Sequence, residues 1–332
     1  SLEQAVNDLK KVQQLEPDSI DAYWYLARAV VTRGKISASR GNFEERDKAA
    51  KQGQMILEQA VKAANDNPKA HINLLSLKLT FARNSDPEQL KAQIQSLEPE
   101  FLSLVEKFGS SAEAFAAVSK FYSAYSILLG PRLGSNSLDK AIEAAETAIR
   151  LDQQNVTYAI LAANLYYRSF SIYGHKPQIN KAIEIAKTAL ALPDAQVTPG
   201  PRQRANINNR FLLSALLANC YTEQILEHSG QQTAQETQTW MSGAERAVHE
   251  IEQIFGSGEE PLVVKWKGML ELVKGNRQAA VIKLYQAYEQ LKAVKPPEPP
   301  WPDDPEFAQL AYTLAKIFED TSEIGAVNEF LV

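Results

Sequence analysis

Apolar residues recur every three or four positions along almost the whole chain, and no run of strictly alternating residues argues for a strand. The stretch LDKAIEAAETAIRLDQQN, residues 138–155, shows the pattern. Ala141, Ala145 and Ala148 follow one another at four and three residues and share one face of a helix. Asp139, Lys140, Glu143, Glu146 and Arg150 mostly fall elsewhere around it. Small side chains on that face predict the close approach of a second helix. Turn signals such as LEPDS, NDNPKA, FGSSAE, LGPRLGSNS, LDQQN, YGHKPQ and GSGEEP interrupt the periodicity. They divide the chain into about fifteen helices. Asp18 or Ser19, Ser85 or Asp86, Ser110 or Ser111, and Asp304 before Pro305 stand where a helix start needs a cap.

Self-comparison shows an internal repeat. AYWYLARAV (22–30), AFAAVSKFY (114–122), YAILAANLY (158–166) and LSALLANCY (213–221) share a layout built around a small residue: Ala27, Ser119, Ala163 and Ala218. The layout returns with Gly268 and with Ala315, and more weakly around Lys78. Each copy is followed by a helix of the alanine-spaced kind. Ala182, Ala186 and Ala189 match the stretch above, as do Ala280, Leu284 and Ala287; Ala5, Leu9, Val12 and Pro17 open the chain the same way.

These features resemble the tetratricopeptide repeat (TPR) family, whose 34-residue helix–turn–helix unit carries W-x2-L-G-x2-Y, then A-x3-F, then a proline. The match is best over 138–166, 1–30 and 262–289, where KGNRQAA resembles the inter-helix turn. The resemblance implies an all-α, right-handed superhelical solenoid of antiparallel helix pairs, with the first helices lining a concave wall. The small residues lie 41 to 55 positions apart, so helices are lengthened or loops inserted, notably at 32–48, 168–178 and 228–240. The array is expected to run over 1–295, with a stiff proline-rich connection at 296–302 and a further, truncated repeat at 303–332.

Composition narrows the function classes. The 332 residues are 45% hydrophobic, which supports a folded core. A net charge of −5 with interspersed signs offers no basic field for a nucleic-acid backbone. The single Cys220 sits in an apolar run and reads as a packed core residue. No apolar run reaches the roughly 18 residues of a membrane span. The chain starts and stops inside apparent helices, which suggests a fragment; a cytoplasmic setting is the default expectation.

No catalytic constellation stands out. His71, His175, His228 and His249 are scattered, and Glu245 with His249 lacks the second element of a carboxylate–histidine metal bundle. FGSGEEP lacks the lysine and strand of a phosphate loop, and NVT at 155–157 falls in a tight turn. No metal, cofactor or enzymatic activity is expected. The residue after each small one should face the inner wall: Arg28, Lys120, Asn164, Asn219, Met269 and Lys316. Asn164 and Asn219 are equivalent amides, able to donate to and accept from a peptide backbone. Arg168 and Lys120 add attraction for carboxylates. Trp24, Tyr125 and Tyr167 are candidate aromatic anchors. Trp24 and Ile160 stand where the family's two-carboxylate clamp requires lysine, so that clamp is not expected. The basic, amide-rich segment PGPRQRANINNRF (199–211), at the start of the longest helix, is a weaker contact candidate. The expected function is a non-catalytic scaffold that binds a protein or extended peptide, not nucleic acid or membrane. The alternative is a sensor or carrier of a small molecule or glycan, or the non-catalytic part of a larger enzyme.

Overall fold

The computed structural model describes residues 2–82, 87–197, 200–227, 233–256 and 260–294, with Thr313, Leu314 and Ile317. Among these are thirteen α-helices, one short 3-10 helix and no strand. The chain gathers into two compact units, Ser1–Gly174 and His175–Val332. The first holds α1 (Leu2–Leu15), α2 (Ile20–Ala38), α3 (Phe43–Ala63), α4 (Pro68–Ala82), α5 (Pro87–Lys107), α6 (Ala112–Leu133), α7 (Ser135–Leu151) and α8 (Val156–Tyr173). The second holds α9 (Pro177–Leu190), the 3-10 turn Pro193–Ala195, α10 (Gln203–Glu227), α11 (Ala234–Phe255), α12 (Pro261–Val273) and α13 (Arg277–Val294). The proline-rich connection expected at 296–302 lies outside the described residues, as do Ser85, Asp86, His228, Asp304, Ala315 and Lys316.

Local chemistry sets the helix ends. The side chains of Ser19, Asn42, Ser111 and Thr233 accept from backbone N–H groups three residues on, satisfying donors that the first turn leaves open. Thr233 and Glu236 complete a reciprocal capping box. Asn155 accepts from the Thr157 N–H, so the NVT asparagine is engaged as a helix cap. In α6 the helix breaks at Gly130 (φ 69°, ψ 178°), because Pro131 pushes its predecessor out of the helical region.

The helices pack as antiparallel pairs, closest in α2/α3, α6/α7, α10/α11 and α12/α13. Within each unit the first helix of a pair also touches the first helix of the next: α2 with α4, α4 with α6, α6 with α8, and α10 with α12. Small residues occupy the crossings. Ala141, Ala145 and Ala148 of α7 are fully buried, as are Ala182 and Ala186 of α9 and Ala280 and Ala287 of α13. Ala27, Ser119, Ala163 and Ala218 are each 0% exposed, so the small residue of the repeat is the contact point of every well-formed copy. The separation is so short in α2/α3 that a Cβ on Gly53 would meet Val31 Cγ2 at 2.7 Å.

Two expectations change, and one open alternative is decided. In α1 the buried residue is Val6, while Ala5 and Val12 are exposed, so the face is rotated by one position toward α2. In the copy around Lys78 the expected small position holds a lysine that is half-buried and pairs with Glu100 at 2.6 Å. The extra length at 32–48 and 168–178 is mostly helix, since α2 continues to Ala38 and α8 to Tyr173.

Candidate functional site

The first unit carries a trough of about 390 Å³ along the row of first helices. Ile72, Ser76 and Leu79 of α4 form one wall at helical spacing, and Glu113, Ala117 and Lys120 of α6 form the other. Tyr158 of α8 closes one side and Phe101 of α5 lies beneath. The depression follows from the sequence layout. Where α2 carries Trp24 and Tyr25, α6 carries Ala116 and Ala117, so two large side chains are replaced by methyl groups.

The rim is charged. Lys69 of α4 pairs with Asp21 of α2 at 2.8 Å, and this bond raises the lysine's pKa. The pair brings together the face of α4 that lines the trough and the face of α2 that carries Asp21, Trp24 and Arg28. Arg28 is exposed, with its guanidinium 5.7 Å from the half-buried Trp24 ring. Lys120 is exposed on α6. Tyr158 is nearly buried, and its hydroxyl is pushed up to about 12 by that burial, with the negative charges of Glu113 and Asp152 adding to it.

The expected wall residues separate into groups. Arg28, Lys120 and Asn164 are exposed, Trp24 and Tyr167 are half-buried, and all five belong to the first unit. Asn164 donates from Nδ2 to the Ile160 carbonyl of its own helix at 2.9 Å. Asn219 is half-buried and belongs to the second unit. Arg168 is a correction. Its guanidinium bonds the Ser123 hydroxyl at 2.9 Å, the Ser123 carbonyl at 3.3 Å and the Ser126 hydroxyl, so it fastens α8 to α6. Burial lowers its pKa, as expected for a cation taken from water. Tyr125 and Met269, expected on the wall, are buried among helices because their faces turn toward the neighbouring pair.

The segment at 199–211 also departs from expectation. Asn206 donates to the Gln196 carbonyl at 2.9 Å and Asn209 to the Asp194 carbonyl at 3.1 Å. Arg210 pairs with Glu250 at 2.7 Å. These groups anchor the 3-10 turn and α11 to α10, which at 25 residues is the longest helix described. Lys69, Ser76, Glu113 and Tyr158 were not foreseen as site residues. Glu113 stands one heptad before Lys120, a spacing that marks a shared face.

Chemistry-bearing clusters are sparse among the described residues. No group of three His, Cys, Asp or Glu side chains could hold a metal ion. Glu245 pairs with Lys274 at 2.9 Å, and Nε2 of the neighbouring His249 meets the Gln253 amide at 2.9 Å. Cys220 is fully buried, which pushes its thiol pKa up. No described helix is long and apolar enough to cross a membrane.

No family model matches the chain, and no curated protein matches it by sequence. Its fold is nevertheless shared with solved helical-repeat structures. A monomeric mutant of IFIT1, solved with m7Gppp-AAAA, aligns at a TM-score of 0.53 and 11% identity, over 97% of this chain and 61% of that one. This chain therefore spans about three fifths of the IFIT1 chain. YrrB, a TPR protein with an unusual peptide-binding site, aligns at 0.42 and 13% identity over 76% of this chain and 96% of its own. PilF of Pseudomonas aeruginosa aligns at 0.44 and 15% identity, over 86% and 97%. The fold is an all-α, TPR-like helical repeat.

Proposed function

We propose that the first unit is a non-catalytic scaffold that binds an extended peptide segment carrying carboxylates beside apolar side chains. The trough between α4 and α6 carries this reading: an apolar floor bordered by Lys69 and Lys120, next to the face of α2 that presents Trp24 and Arg28. Apolar side chains would fill the space left by Ala116 and Ala117, and carboxylates would meet Lys120 and Arg28. Asn164 has its carbonyl oxygen available to a passing backbone N–H. The TPR-like fold supports a binding role, since stacked first helices present a continuous surface.

The proposed partner is protein and not nucleic acid, although the IFIT1 structure holds m7Gppp-AAAA. The acidic balance of this chain supports that choice. Fluorescence anisotropy with a peptide array tests it. Acidic–apolar peptides should be retained, and Lys120→Glu should weaken them about tenfold, the worth of a charge-assisted hydrogen bond. Ala117→Trp should block the trough. Salt-dependent binding of single-stranded RNA, with no peptide retained, would overturn the reading.

A further inference from the structure

The second unit contains a separate opening that the proposed peptide trough does not use. A slot of about 420 Å³ lies over α10, between Lys187 and Leu190 of α9 on one side and Gly243, Arg246 and Ala247 of α11 on the other. Its floor is Ser214, Leu217 and Tyr221, all buried. Ser214 is 0% exposed, yet its hydroxyl has no hydrogen-bond partner among the described residues. A serine or threonine inside a helix ordinarily bonds back to the carbonyl four residues before it. This chain does so at Thr147, Thr188 and Thr222, the last at 2.8 Å within the same helix. Ser214 does not, and a buried unsatisfied hydroxyl carries a desolvation cost that a ligand can relieve.

The layout contributes to the opening. Ser214 occupies a column that holds a ring in two copies, Tyr23 in α2 and Phe115 in α6, and a smaller residue in others, Ala159 in α8 and Val264 in α12. The ring that those two copies carry at this position is missing in α10. Gly243 lets the Tyr221 ring pack directly on α11, since a Cβ there would lie 2.5 Å from Tyr221 Cζ. The mouth is cationic. Lys187 is exposed with Nζ 5.5 Å from the Tyr221 ring, and Arg246 is exposed with, among the described residues, only its Nε engaged, on the Ser242 carbonyl. Among the described residues the one carboxylate lining the slot is Glu250, which is already paired with Arg210 at 2.7 Å.

We propose that this slot binds a small phenolic carboxylate. Its ring takes the place of the missing aromatic side chain against Leu190, Leu217 and Ala247. Its hydroxyl bonds Ser214 at the floor, and its carboxylate meets Lys187 and Arg246 at the mouth.

Isothermal titration of the full chain with three probes tests this: para-hydroxyphenylpropionate, phenylpropionate and para-ethylphenol. The first should bind most tightly, with a dissociation constant on the order of 0.1 mM for a ligand of this size. Ser214→Ala should abolish the advantage of the first probe over the second. Arg246→Gln should weaken both carboxylates about tenfold and leave para-ethylphenol unchanged. Ser214→Phe, which supplies the ring found at Phe115, should abolish binding of all three while circular dichroism stays helical. If Ser214→Phe fails to fold, the other two variants decide. Absence of binding by every probe at millimolar concentration, or binding indifferent to Ser214→Ala and Arg246→Gln, overturns the proposal.

Discussion

The Ser119 hydroxyl donates to the Ala141 carbonyl at 2.8 Å, with both residues 0% exposed at the crossing of α6 and α7. The bond forms because neither residue has a side chain large enough to hold the backbones apart. It fixes the register of the pair at the point where the sequence places its small residues.

The close crossing makes volume the sensitive variable. Ala145→Leu should overpack the same contact and cost about 1–3 kcal/mol. Glu143→Gln on the exposed face should stay within about 0.5 kcal/mol. Ser119→Ala, which deletes the bond and fills no space, should cost about 1 kcal/mol. Urea denaturation of the three variants checks the order. Equal, negligible effects would contradict the assigned helix faces.

Gly53→Ala separates helix propensity from packing. Alanine favours an isolated helix by about 1 kcal/mol over glycine. Here its Cβ would meet Val31 Cγ2 at 2.7 Å, and a β-branched side chain has few ways to move aside. The expected outcome is a lower melting temperature for the variant, read by thermal circular dichroism.

Buried tyrosines predict alkaline sensitivity. Tyr122 donates to Glu98 at 2.7 Å and Tyr166 to Glu146, and burial followed by these acidic partners raises both hydroxyls well above the ordinary value. Tyr158 is raised from 10.0 to about 12, chiefly by burial. The unfolded chain therefore loses these protons first as pH rises. Their stabilising contribution is complete below pH 10 and disappears as pH climbs through the folded-state values. Phenolate absorbance from Tyr122, Tyr158 and Tyr166 should rise cooperatively, and only as the helices melt.

Cys220 supplies a simple probe of local opening. It is 0% exposed and its thiol is held protonated by burial. A disulfide-exchange reagent should detect no thiol in the folded chain and one per chain in urea. Rapid labelling without denaturant would place Cys220 on a surface.

Much of the fold was legible because helix pairing depends on spacing and side-chain size, both local properties. Ala182 and Ala186 could be assigned to a crossing from their interval alone, and the structure buries them fully. The copy around Lys78 was the weakest in the sequence because its small position is taken by a long cation, which here pairs with Glu100. The site was less legible. Lys120 could be placed on an exposed face, but the Tyr158 and Phe101 that shape the trough come from other helices.

By itself, then, the sequence determined the helices, their pairing and the small residues where they touch, because a periodic face and a missing side chain act on the nearest neighbour. Only the tertiary structure decided which polar groups stay available and where space opens. Arg168 looks like a groove cation until Ser123, 45 positions away, engages it. Ser214 looks like an ordinary helix serine until α9 and α11 leave its hydroxyl buried without a partner. Hydrogen bonds and cavities are properties of groups brought together from distant parts of the chain, and no local pattern encodes them.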